Sequence, residues 1–164
     1  MPSYWKEQNK LTKRFKQCLK RIFTIADQDN DQLLNDDELT MLQDYCFGKI
    51  PTKIDEKATI EQLKYEIQRR TFDGIKIIRD NKGEMTTALT YQGFECLFEL
   101  YLNKGKYETI YTTLERFSYN RKLELCVPNA PEGKNKFFSF SFSFKFLFKR
   151  RSNPFLSNVD SSYH

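Results

Sequence analysis

Twelve residues constrain this chain more than any other stretch. From Asp27 to Glu38 they read Asp-Gln-Asp-Asn-Asp-Gln-Leu-Leu-Asn-Asp-Asp-Glu. Counted from Asp27, side-chain oxygens fall at the first, third, fifth, ninth and twelfth positions, as Asp27, Asp29, Asp31, Asn35 and Glu38. A hard cation such as Ca²⁺ takes roughly six to eight oxygens at about 2.3–2.6 Å, and this spacing wraps them around one point. Leu33, at the seventh position, offers its backbone carbonyl, so its apolar side chain costs nothing there. Asn35 acts directly or through water, and Glu38 closes the shell with both carboxylate oxygens. Leu34 is apolar because the eighth position points away from the ion into a core. The expected ligand set is Asp27, Asp29, Asp31, Leu33, Asn35 and Glu38, in an EF-hand loop for Ca²⁺, with Mg²⁺ as the alternative hard cation.

The sixth position departs from the pattern. It is Gln32, where the motif places glycine for a sharp turn at positive φ. A non-glycine residue in that conformation costs about 1–2 kcal/mol, equivalent to at most roughly 5- to 30-fold in affinity. The bland alternative is a degenerate hand kept only as structure. Five intact ligand side chains favour ion binding.

Around the loop the apolar residues recur at helical intervals. Leu11, Phe15, Cys18, Leu19, Ile22, Phe23 and Ala26 line one face of an entering helix over about 11–26, with Lys and Arg on the other. Leu39, Leu42, Tyr45 and Cys46 form the buried stripe of an exiting helix that Gly48 and Pro51 end. A second helix pair is expected over 58–70, with Ile60, Leu63 and Ile67, and over 91–103, with Phe94, Leu97, Phe98, Tyr101 and Leu102. Between them lie Asp73-Gly74, Asn81-Lys82-Gly83 and the short strand candidate Ala88-Leu89-Thr90. Twelve residues counted from Asp73 reach Glu84, but Ile75 and Ile77 stand at the third and fifth positions and offer no side-chain oxygen. This second hand is expected to be structural, with Leu89 pairing backbone to backbone with Leu34. A fifth helix over about 106–117 carries Tyr107, Ile110, Tyr111, Leu114 and Phe117. The apolar segment Leu123, Leu125 and Val127 then either lies in the groove of the EF pair or packs as ordinary core.

Composition narrows the function. The net charge is +5, but residues 132–164 hold six Lys/Arg against two acids and so account for +4 of it. The folded part is almost neutral, which argues against a nucleic-acid surface. Four scattered cysteines without a C-x-x-C pair indicate free thiols in a reducing compartment. The only histidine is His164, so zinc sites and triads that need histidine have no candidate in the folded region. No catalytic constellation is present: the loop acids are better explained as ligands. No run of eighteen apolar residues would span a membrane.

Taken together, Leu19-Lys20-Arg21-Ile22-Phe23, the Asp27 loop and Leu34-Asn35-Asp36-Asp37-Glu38-Leu39 resemble the first EF-hand of the Miro family, the mitochondrial Rho GTPases. The resemblance continues through Leu89-Thr90-Tyr91-Gln92-Gly93-Phe94 and Gly105-Lys106-Tyr107-Glu108-Thr109 to Leu114-Glu115-Arg116-Phe117, and covers roughly residues 10–128. It implies a hidden second EF-hand and a following helix that docks as an internal ligand mimic. In that family GTPase domains flank two such modules and a C-terminal anchor follows. No G-x-x-x-x-G-K-[ST] phosphate loop occurs in these 164 residues, so no enzymatic activity is expected of them.

The resulting expectation is an all-α EF-hand pair with a short two-stranded pairing between its loops. Residues 1–9 are a lead-in whose Tyr4 and Trp5 pack on the domain edge. Residues 10–50 are the ion-binding hand, 51–104 the hidden hand, and 105–128 the following helix and ligand-mimic-like segment. Residues 129–164 form a Phe/Ser/Lys-rich tail outside the fold. In that tail, Phe137 to Phe148 alternates in the manner of a strand, and eight of the fifteen phenylalanines lie in the last thirty-three residues. It reads as an interfacial membrane anchor, a stacking platform for single-stranded nucleic acid, or, preferably, a stretch translated from a retained intron. The function expected is Ca²⁺ binding as a sensing or scaffolding module, cytoplasmic or at the mitochondrial outer surface, with protein partners of a Miro-like kind. Its rivals are an ion-independent interaction module and a membrane-surface protein acting through the tail.

Overall fold

The computed structural model describes residues 4–7, 10–48 and 53–126, with residues 53–59 described by their backbone alone. The chain divides into two units, Met1–Pro128 and Asn129–His164, and every described residue belongs to the first. The expectations for Val127 and for the tail lie outside the described residues.

The element order is β1 (Lys6–Glu7), β2 (Lys10–Leu11), α1 (Lys13–Ala26), β3 (Leu33–Leu34), α2 (Asp36–Phe47), α3 (Lys53–Gln68), β4 (Ile75–Arg79), β5 (Met85–Thr90), α4 (Tyr91–Asn103) and α5 (Tyr107–Arg116). This is a mostly helical EF-hand pair with small antiparallel pairings, as expected. Helix α1 starts later than the apolar pattern suggests, because Leu11 pairs with Lys6 and Thr12 caps the helix by accepting from the Phe15 amide at 3.2 Å. Helix α3 starts earlier, at Lys53, since its polar first turns carry no apolar stripe from which to read it.

The two hands meet where Leu34 pairs with Leu89. The sheet is larger than a two-stranded contact: β5 also pairs along its length with β4, giving the order β3-β5-β4. Asp80 closes that hairpin, its carboxylate accepting from the amides of Lys82 at 2.8 Å and Glu84 at 2.9 Å, while Gly83 takes a φ of 80°. The turn residues were visible in the sequence. The strand Ile75–Arg79 was not, because its alternation is weak and Ile77 is exposed.

The hairpin also changes which residue closes the hidden hand. Asn35 and Thr90 directly follow the paired leucines, and each caps its helix. Asn35 accepts from the Glu38 amide at 3.0 Å, and Thr90 accepts from the Gly93 amide at 3.1 Å. Gly93 therefore stands where Glu38 stands in the first hand. Glu84, reached by counting from Asp73, lies instead at the hairpin turn. A Cβ on Gly93 would sit 2.1 Å from the Gly74 carbonyl oxygen, so loop backbone occupies the space a closing side chain would need.

The core is aromatic. Phe15, Phe23, Phe94 and Phe98 pack edge to face, with ring centroids 6.0 Å apart for Phe15–Phe98, 5.6 Å for Phe23–Phe94 and 5.1 Å for Phe94–Phe98. Trp5 is not an edge residue: it is 1% exposed, stacks on Phe15, and donates from Nε1 to the Arg121 carbonyl at 3.1 Å. Tyr4 stays at the surface. Helix α5 buries Ile110 and Leu114 against α2 and α4. In the next segment Leu123 is buried beside Cys18 of α1, and Leu125 bridges to Tyr119. Cys18, Cys46, Cys96 and Cys126 are free thiols. Among the described residues no helix is long and apolar enough to cross a membrane.

Gly93→Ala should lower folding stability by about 2–4 kcal/mol, because the new methyl collides with backbone. Phe72→Ala, at a residue 97% exposed, should stay within about 0.5 kcal/mol of wild type. Urea unfolding checks both, and a wild-type midpoint for Gly93→Ala would show that the Gly74 backbone can retreat.

Candidate metal centre

Helix α1 delivers Asp27 at its C-terminus, where the Asp27 amide still donates to the Phe23 carbonyl at 2.9 Å. The chain then folds back over the Asp27 carboxylate, which accepts from the amides of Asp31 at 3.2 Å and Gln32 at 3.0 Å. Asp29 accepts from the Asp31 amide at 3.1 Å, and Asp31 accepts from the Leu33 amide at 2.8 Å. Such local bonds are what Asp offers a tight loop. They bend the backbone into a tight loop over the Asp27 carboxylate.

Glu38 closes the loop from the first turn of α2. One carboxylate oxygen accepts from the amides of Gln28 at 2.7 Å and Asp29 at 3.4 Å, and the other accepts from the Asn35 amide at 3.0 Å. The last bond, with the Asn35 cap, completes a capping box. Asp27, Asp29 and Glu38 each bring one carboxylate oxygen to within 4.8 Å of the others. Asp27 and Glu38 are buried, at 5% and 4% exposure. This cluster could coordinate a metal ion.

Asp31 is not among the clustered carboxylates, and Leu33 and Asn35 follow it along the loop. Asp31 is linked to the cluster through its amide. Leu33 lies in β3 opposite Thr90. The Asn35 amide oxygen already accepts from the Glu38 amide, which leaves it one further lone pair for an ion or a bridging water. Gln32 adopts a φ of 66°, so the sixth position is in the left-handed region that its side chain disfavours. Asn30 shares that region at 59°, and an Asn tolerates it better. The sequence reading missed the Gln28 amide as a support of Glu38. No side-chain pattern could have revealed it, since the donor is backbone.

The electrostatics favour a cation. Burial raises the Glu38 carboxyl from 4.5 to about 7, against the opposing pull of the Asn35 and Gln28 amides. Burial also raises Asp27, with the Gln32 amide opposing and Asp29 and Asp31 adding to the rise. Asp31 is raised by burial and by Asp29. Crowded, partly desolvated carboxylates of this kind lose energy on ionising unless a positive charge joins them. The donor set is all oxygen, which suits a hard cation.

A family model described as "EF hand associated" matches residues 53–128. Mitochondrial Rho GTPase 1 of Caenorhabditis briggsae is 34% identical over 124 residues, which make up 76% of this chain and 17% of that protein. The chain is a Miro-like EF-hand module. It spans less than a fifth of the relative's length. The described elements from Lys6 to Arg116 are those of the EF-hand pair and the helix that follows it, and no GTPase fold is among them.

Two outcomes follow from the loop geometry. In chelator, the folded state holds the Glu38 proton more tightly than the unfolded chain does. Stability should therefore fall as pH rises from 4.5 to about 7. Urea midpoints across that window check the sign, and a rising midpoint would refute it. Where the positive-φ strain at Gln32 is greater in the ion-bound loop than in the free one, Gln32→Gly should tighten ion binding, by up to about tenfold. A weaker site, measured by calorimetry, would mean that the Gln32 side chain supports the loop.

Proposed function

We propose that this module binds one Ca²⁺ through Asp27, Asp29, Asp31, the Leu33 carbonyl, Asn35 and Glu38, and serves as a sensing or scaffolding unit of a Miro-like protein. The observation that carries this reading is the convergence of Asp27, Asp29 and Glu38 carboxylates in a partly buried loop. When bound, the ion would supply the positive charge those carboxylates lack. The residues hold and orient: Asp27 ties the site to α1, and Glu38 ties it to α2 with its carboxylate held by three backbone amides.

The hidden hand supports a stoichiometry of one. Gly93 at its closing position offers no carboxylate, and a larger residue there would strike Gly74. Its role is to pair with the first hand. The same proposal assigns residues 10–50 to the ion-binding hand, 51–104 to the hidden hand and 105–128 to the following helix and ligand-mimic-like segment. Its place of work is the cytoplasm or the mitochondrial outer surface, meeting protein partners there as part of a larger protein. The similarity to a mitochondrial Rho GTPase supports that setting.

Titration calorimetry of the full chain with Ca²⁺ and Mg²⁺ tests the reading. One Ca²⁺ per chain is expected. Glu38→Gln should weaken it by more than about tenfold, since it removes a charge and the two-oxygen closure. Two ions per chain, or an unchanged affinity in Glu38→Gln, would overturn the assignment. Absence of binding would favour the ion-independent interaction module.

A further inference from the structure

The stripe that α3 turns inward runs Ile60, Leu63, Lys64 and Ile67, and a lysine in such a stripe needs an explanation. Lys64 is 5% exposed, and among the described residues it is the only buried basic side chain. Burying an ammonium is costly unless every donor is met. Here all three are: Lys64 Nζ pairs with the Asp36 carboxylate, and donates to the Thr87 carbonyl at 2.8 Å and the Thr87 hydroxyl at 3.1 Å.

The partners are placed by the pairing of the two hands. Asp36 lies two residues after Leu34, and Thr87 two before Leu89. In an antiparallel pair those positions fall at the same end of the ladder. Lys64 reaches that end from α3. A bound ion ties the entering helix of a hand to its loop strand and exiting helix. With Gly93 in place of a closing acid, the hidden hand has no such tie of its own. The Lys64 ammonium joins its entering helix α3 to its strand β5, and extends the tie to α2 of the first hand.

We propose that Lys64 is a permanent internal cation of the paired hands, holding α3 to β5 and α2, and that its charge lowers the affinity of the Asp27–Glu38 loop by opposing a second cation. The tie stands on the geometry alone, while the effect on affinity rests on the Ca²⁺ reading above. Asp36 sits between Asn35 and Glu38 at the rim of the loop, so the ammonium partly offsets the negative charge that an incoming ion would otherwise meet in full.

The test uses the full chain with Lys64→Gln, Lys64→Arg and Asp36→Asn, titrated with CaCl₂ and unfolded with urea in chelator. Lys64→Gln should lower the urea midpoint yet tighten Ca²⁺ binding, by about threefold to tenfold at low ionic strength. The gain should shrink as salt is raised from about 0.02 M to about 0.5 M, because screening shortens the reach of the lost charge. Lys64→Arg keeps the charge and should keep the wild-type affinity. A lysine that only packs would give a lower midpoint with unchanged affinity and salt dependence in Lys64→Gln, and that result overturns the effect on affinity. Should Lys64→Gln fail to fold, Asp36→Asn carries the test, since its carboxylate side chain is 37% exposed. It should lower both the midpoint and the affinity, and a wild-type midpoint would overturn the tie. A wild-type chain that binds no Ca²⁺ while both variants lose stability would sink the ion reading and leave the tie standing.

Discussion

The antiparallel pairing of Leu34 with Leu89 is the contact on which the rest of this module depends. Both leucines are buried, so the pair joins backbone bonding to apolar burial at one point. A slip of one residue would turn both side chains out of the core. The register then dictates the next residues in each hand. Asn35 and Thr90 become helix caps, Glu38 and Gly93 fall at equivalent positions, and Asp36 and Thr87 meet at one end where Lys64 can bridge them. One hand thereby gains a buried carboxylate and the other a backbone contact. At the equivalent closing position the two hands differ by a carboxylate against a hydrogen, and the second loop also carries the oxygen-free Ile75 and Ile77 where the first carries Asp.

Within the first hand, folding and ion chemistry pull against each other. The loop spends backbone amides on its acids: Gln28, Asp29 and Asn35 on Glu38, and Asp31 and Gln32 on Asp27. Those bonds orient the carboxylates, but they do not repay the burial that pushes Glu38 up to about 7. Gln32 adds backbone strain. Such unfavourable local choices within an otherwise consistent fold tend to mark a site that a ligand completes.

The outer parts of the module form a clasp around the pair. Trp5 inserts against Phe15 and is held by the carbonyl of Arg121, so a segment before the first hand and a turn after α5 are joined through one indole. Arg121 also lies over the Tyr111 ring at 4.0 Å from its centroid. Tyr45 of α2 donates to the Arg116 carbonyl at 3.0 Å. These contacts make α5 and the following turn part of the same core as the hands.

How much was legible in the sequence follows from the range of each interaction. The loop spacing, the apolar stripes of α1, α4 and α5, and the Leu34–Leu89 pairing were all readable, because side-chain periodicity and ligand spacing are local properties of the chain. The φ of Gln32 was also foreseeable, since it depends on the turn alone. What lay beyond the sequence depended on partners distant along it. The β4–β5 hairpin moves the closing position of the hidden hand from Glu84 to Gly93, and only the register with β3 reveals the shift. Trp5 looked like an edge residue because its partner carbonyl is 116 residues away. Lys64 broke an apolar stripe, a visible signal, but the oxygens that explain it belong to two other elements. The chain by itself determined which residues could hold a cation. The tertiary structure decided which hand keeps a carboxylate to close on it and which fills that space with backbone, because the choice is made by close packing between segments that meet only after folding.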